Sequence, residues 1–120
     1  MRKTILAATL ICLASPALAA NYPVAGKWGI GAPPSKTKID CSKLRVIGFN
    51  GDTRTDSKGG VPAYRNVSVT PQGAANYSIV DQFTTGQISN AHVNYTLRQV
   101  DATHLEMTQS GSTLKLQQCR

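Results

Sequence analysis

Apolar residues in this chain alternate with polar ones rather than recurring at helical spacing, and the alternating runs are short and end at turn pairs. That pattern predicts strands with one buried face. Ala63, Arg65, Val67 and Val69 fall on one face of a run whose other face carries Tyr64, Asn66, Ser68 and Thr70, and Pro71-Gln72-Gly73 turns it. Tyr77, Ile79, Asp81 and Phe83 share a face in the next run, which Thr85-Gly86 closes. Ala91, Val93, Tyr95 and Leu97 follow, opposite His92, Asn94, Thr96 and Arg98. Asp101-Ala102 turns the chain again, and Leu105 and Met107 then alternate with His104, Glu106 and Thr108. Ser110-Gly111 makes a tight hairpin, and Leu114 and Leu116 face inward from the last run.

Upstream, Trp28 and Ile30 share one face of a short first strand that stops at Gly31-Ala32-Pro33-Pro34. A run from Leu44 to Phe49 ends at the hairpin pair Asn50-Gly51. Its apolar residues change parity between Val46 and Ile47, which predicts a bulge eased by Gly48. The polar stretch Asp52 to Gly60 is the longest expected loop, with part of it able to pair as an edge strand. Seven or eight short, half-apolar strands need a closed sheet or a sandwich to bury their inner faces and cover their edges. Sequential hairpins favour an all-β, antiparallel up-and-down barrel, and at this chain length side chains fill most of its interior.

Residues Met1 to Ala19 carry the marks of a secretory signal peptide. Arg2 and Lys3 precede an apolar stretch from Ile5 to Leu13, and Ala17-Leu18-Ala19 is a small-x-small cleavage site. Leu10 and Ile11 stand where a lipidation signal at Cys12 would need a small residue. Cleavage removes Cys12 and leaves a single domain over 20–120 with two cysteines, Cys41 and Cys119. In a periplasmic or secreted protein these are expected to form a disulfide joining an early strand to the last. No later stretch is apolar for long enough to form a transmembrane segment. Thirteen Lys and Arg, less Arg2 and Lys3, stand against six acids, so the mature net charge is +5. Such a surface attracts anionic glycans, lipid head groups or acidic proteins. The cations are scattered singly, which disfavours nucleic acid as a partner.

No catalytic residues are assigned. His92 falls on a polar strand face and His104 at a turn, with no G-x-S-x-G elbow in the chain. The histidines lack the ligand spacing of a zinc site, and Asp52 and Asp56 lack the regular oxygen ligands of a calcium loop, so no metal or cofactor is expected. Candidate recognition residues are Tyr22, Tyr64 with the segment from Gly59, and the arginines Arg45, Arg54, Arg65 and Arg98, should barrel closure bring some of them to one side.

Gly26-Lys27-Trp28 resembles the G-x-W opening of calycin-type barrels, a group that includes lipocalins, avidins and bacterial metalloprotease inhibitors. The resemblance implies a barrel plugged at one end by Trp28. A second resemblance is to the periplasmic inhibitors of c-type lysozyme, small exported barrels stapled between an early and a late cysteine. Cys41, Lys43 and Val46 are similar to their first cysteine strand, and Leu116-Gln117-Gln118-Cys119 to their closing one. Of their inhibitory loop, Gly73-Ala74-Ala75-Asn76-Tyr77 keeps the tyrosine, which makes Tyr77 a candidate contact, and Phe83-Thr84-Thr85-Gly86 keeps part of a second motif. The expected function is that of a non-enzymatic binding protein of the bacterial envelope, recognising an anionic surface component or a protein partner. Inhibition of a lysozyme or protease, and carriage of a small ligand, are the alternatives.

Overall fold

The computed structural model describes residues 21–120; the signal peptide expected over Met1 to Ala19, with Cys12, lies outside them. Eight strands follow one another: β1 (Gly26–Ile30), β2 (Arg45–Asn50), β3 (Thr53–Asp56), β4 (Tyr64–Pro71), β5 (Asn76–Phe83), β6 (Ala91–Asp101), β7 (His104–Gln109) and β8 (Ser112–Gln118). Each pairs antiparallel with the next, and β8 returns to β1 to close an up-and-down barrel. Hairpin wiring of this kind needs tight reversals. At Ser110-Gly111 both residues take positive φ, 51° and 81°, the mirror-image turn whose twist matches that of the strands it joins.

Alternation places the core. Trp28, Ile47, Phe49, Ile79, Tyr95, Leu97, Leu105, Met107 and Leu116 are buried together inside. Tyr22 and Val24 join them from the segment ahead of β1, which lies over the barrel end where the Tyr22 N–H reaches the Gly51 carbonyl in the β2–β3 turn. Trp28, almost fully buried, donates its indole N–H to the Ala25 carbonyl at 3.1 Å and so ties that covering segment to β1.

Three details depart from the strand pattern read in the sequence. Val67 does not share a face with Val69. A register shift between Asn66 and Ser68 leaves Val67 outside and turns Tyr64 and Asn66 inward. No bulge separates Val46 from Ile47, because β1 and β2 pair without interruption from Gly26–Phe49 to Ile30–Arg45. Val46 faces outward instead, beside Ile39 and the disulfide. Finally, Asp52 to Gly60 is not the longest loop. Its Thr53–Asp56 portion is a full barrel strand paired on both sides, and the longest connection is 31–44.

That connection is apolar enough to cover part of the barrel wall. Ile39 bridges Cys119, donating its N–H to the Gln118 carbonyl while the Arg120 N–H donates to the Ile39 carbonyl. Gln117, outward on β8 yet buried, accepts from the Ser35 N–H at 2.8 Å and donates to the Ala32 and Pro33 carbonyls at 3.1 and 3.0 Å. Cys41, in this connection, is bonded to Cys119, one residue past β8, across a sequence separation of 78. Constraining a loop of that size in the unfolded chain stabilises the fold by roughly 4 to 5 kcal/mol on a chain-entropy account.

Gly29 sits under this cover because nothing larger fits. A Cβ there would lie 2.6 Å from Cys41 Sγ and 3.0 Å from Leu44 Cδ1. Gly29→Ala is therefore expected to cost about 1–3 kcal/mol in denaturant unfolding through overpacking. In a Cys41→Ala/Cys119→Ala background the same substitution should cost measurably less, because the obstructing sulfur is gone; an unchanged cost would refute the packing account.

Candidate functional site

Among the inward positions of β3, β4 and β5 stand three buried polar side chains, Arg54, Asn66 and Asp81, beside apolar ones such as Ile79. Asn66 and Asp81 face each other across the β4–β5 ladder, and Arg54 faces Tyr64 across β3–β4. Asp81, completely buried, accepts from Arg54 Nε at 2.8 Å and Tyr95 Oη at 2.8 Å on one oxygen, and from Asn66 Nδ2 at 3.2 Å on the other. The Arg54 guanidinium lies over two aromatic rings, 3.8 Å from the Tyr64 centroid and 4.8 Å from that of Tyr95.

Cation, carboxylate and aromatic faces thus satisfy one another out of contact with water. Burial alone would lower the Arg54 guanidinium, but Tyr95 and Asp81 outweigh it and hold it above its ordinary value. Burial, with the Asp81 charge, pushes the Tyr22 and Tyr95 phenols far above theirs. The Tyr22 hydroxyl is buried without a hydrogen bond to another protein group, as is Asn66 Oδ1. This cluster holds the wall together where its backbone does so least: β3 and β4 share only the Thr53–Arg65 and Arg54–Tyr64 pairs, and the Arg54–Asp81 bond spans the seam from β3 to β5.

Over the rim of that seam lies an open surface pocket of about 310 Å³. Tyr64 and Phe83 form one wall, their rings edge to face at 5.3 Å, and Thr53, Gln82 and Thr84 contribute polar groups. Arg65 is the pocket's one charged residue. The aromatic wall is not free to adjust, because Tyr64 is stacked from within by Arg54. A larger groove of about 700 Å³ runs beside the disulfide, lined by cations and carboxylates together, Lys27 and Arg120 with Asp40 and Asp56, of which Asp56 is bonded to Arg45.

The candidate arginines part company once the barrel closes. Arg45 makes two bonds to Asp56, at 3.0 and 2.7 Å. That bond raises the guanidinium above its ordinary value and, against the effect of burial, helps hold the Asp56 carboxyl below its own. Arg98 pairs with Glu106 at 3.0 Å on the outer surface, where such a pair contributes little. Arg54 is inside. Among the described residues Arg65 alone of the four enters no ion pair.

Tyr77 is half-buried and packs against the core. It stands at the opposite end of β5 from Phe83-Thr84-Thr85-Gly86, so the two lysozyme-inhibitor-like segments are not brought together. His92 is exposed, and His104 Nδ1 lies 2.7 Å from Asp101 Oδ1 at the β6–β7 turn. Among the described residues no three His, Cys, Asp or Glu side chains gather in a way that could hold a metal ion, and no helix is long and apolar enough to cross a membrane. The Arg54–Asp81 pairing went unread in the sequence, although a carboxylate in phase with Tyr77, Ile79 and Phe83 was a signal that a buried cation had to meet it. No protein-family model, curated protein or solved structure matches this chain.

Arg54→Leu, which strands the Asp81 carboxylate, is expected to cost about 3–5 kcal/mol in unfolding, whereas Arg54→Leu/Asp81→Leu should cost less than the single substitution. Alkali should act through the phenols. Tyr22 and Tyr95 hold their protons more tightly folded than unfolded, so their contribution is intact below the unfolded value of 10.0 and is lost as pH rises above it. In a spectrophotometric titration their phenolate absorbance should appear only together with loss of the folded circular dichroism signal, and Tyr22→Phe/Tyr95→Phe should remove that coupled component.

Proposed function

We propose that this protein is an exported, non-enzymatic binding protein that recognises an anionic group of a cell-envelope component at the Tyr64–Arg65 pocket. The observation that carries this is the state of Arg65. It is the charged residue of a walled surface pocket, and no carboxylate of the described chain neutralises it. A guanidinium offers paired N–H donors matched to a carboxylate, phosphate or sulfate. Gln82, Thr53 and Thr84 add neutral donors and acceptors, and the Tyr64–Phe83 wall adds contact area at low entropic cost.

The Cys41–Cys119 disulfide is compatible with an oxidising compartment outside the cytoplasm. The core and the polar cluster occupy inward positions, which favours recognition at the surface over carriage of a calycin-type ligand. The separation of Tyr77 from the Phe83–Gly86 segment likewise weighs against a lysozyme-inhibitor mode.

Calorimetric titration of the mature chain with soluble acidic peptidoglycan fragments tests the proposal. Binding should weaken as salt rises, fall at least about tenfold in Arg65→Gln, as loss of a charge-assisted bond implies, and recover in part in Arg65→Lys. Equal binding by Arg65→Gln and the unsubstituted chain would overturn it.

A further inference from the structure

A closed barrel presents an outward-curving wall, and the start of the 31–44 connection builds a ridge upon it. His104 pairs with Gln117 and Glu106 with Lys115, and their strand neighbours Leu105, Met107, Leu114 and Leu116 belong to the core or pack against it. These four side chains therefore point outward and floor one patch of β7 and β8. Along one border, the bonds between Gln117 and the Ser35, Ala32 and Pro33 backbone hold the connection against the strands and leave Ala32 and Pro34 as a raised side. Along the other, the register shift between Gln99 and Asp101 at the end of β6 presents Val100, which is 45 % exposed. Between the two borders lies a pocket of about 310 Å³.

The charged groups of this pocket differ in what they already hold. Asp101 Oδ1 is bonded to His104 Nδ1 at 2.7 Å and to the Thr103 N–H at 2.9 Å, so its charge is engaged within the β6–β7 turn. Glu106 accepts from Arg98 at 3.0 Å. Lys115 stands across the ladder from that occupied carboxylate, and among the described residues it enters no ion pair. With both carboxylates partnered, the pocket offers apolar sides and one uncommitted cation. Its volume lies at the lower end of the range of small-molecule sites.

We propose that this pocket binds a free small carboxylic acid in its anionic form, its apolar chain against Pro34 and Val100 and its carboxylate on the Lys115 ammonium. Burying the chain removes exposed apolar surface of Val100 from water. An ammonium is a compact point charge that accepts a carboxylate from several directions, which suits an open pocket. A neutral apolar ligand would take water from Lys115 and return no partner. A cationic ligand would meet the Lys115 charge while both nearby carboxylates are already bonded. A peptide strand would need an open edge, whereas β7 is paired on both sides. This site is separate from the Tyr64–Arg65 pocket and does not depend on its assignment.

Amide and methyl nuclear magnetic resonance of the disulfide-bonded mature protein, titrated with hexanoate, hexylammonium, 1-hexanol and the zwitterion norleucine, tests the proposal. The four ligands share a chain length and differ in charge. Hexanoate should give saturable shifts at Ala32, Val100 and Lys115 and bind more tightly than the other three. Lys115→Gln should weaken hexanoate about fivefold and bring it level with 1-hexanol, and Val100→Ser should weaken both by a similar factor. Lys115→Glu should turn the preference toward hexylammonium, and Arg65→Gln should change nothing. Lys115 and Val100 are exposed, so these variants can be compared at equal melting temperature. Absence of saturable shifts at the pocket, equal or tighter binding of any of the other three ligands, or hexanoate binding unaltered by Lys115→Gln and Val100→Ser would each overturn the proposal. Failure of acidic peptidoglycan fragments to bind would bear on Arg65 alone.

Discussion

A buried ion pair holds this barrel closed where its backbone ladder is shortest. Two residue pairs join β3 to β4, and the bond from Arg54 to Asp81 reaches past β4 to fasten β3 onto β5. Burying both charges is costly in itself. Here the cost is offset by Tyr95 and Asn66, which donate to Asp81, and by the Tyr64 and Tyr95 rings over which Arg54 lies. The same bonds set the local conformation. An inward Arg54 requires an inward acceptor two strands away, and an inward Asn66 requires β4 to shift register before Val69 can return to the core. The bulge that expels Val67 therefore accompanies a polar, rather than an apolar, filling of this part of the interior.

From that cluster the outer surface inherits its rigidity. Tyr64 is stacked from within, and it forms a wall of the pocket that Arg65 shares. Adjacent residues on one strand point to opposite sides, so a single strand end connects a satisfied arginine inside the barrel, through Tyr64, to an unsatisfied one outside it. The disulfide plays a comparable part on the opposite wall, where Cys41, Ile39 and Leu44 cover Gly29 and turn an outward strand face into a second, smaller packed layer.

Much of the architecture was legible in the sequence, because period-two alternation and turn pairs act locally. The runs from Tyr77 to Leu116, the hairpins at Asn50-Gly51 and Ser110-Gly111, and the closed antiparallel barrel all follow from it. What escaped depended on partners distant in the chain. Val46 looked like a core residue out of phase because the segment that covers it from outside is not itself a strand. Thr53–Asp56 looked like loop because its inward residues, Arg54 and Asp56, are charged, and only Asp81 and Arg45 make such a strand tolerable. For the pocket, Tyr64 and Arg65 were visible as residue types. Their separation from the paired Arg45, Arg54 and Arg98 was not, since it depends on where six carboxylates fall in three dimensions.

The pairing of β8 with β1 sets the order in which the fold can be completed. Trp28, Gly29 and Ile30 have half of their ladder supplied by Gln118, Gln117 and Leu116, and the bridge at Cys119 comes later still. A ribosome finishes the first strand long before it begins the last. Until β8 and Cys119 have been made, β1 has one open edge and the covering connection 31–44 lacks its bonds to Gln117, Gln118 and Cys119. Closure therefore waits on the last strand, and losing the residues from Lys115 to Cys119 would leave the first strand with an open edge.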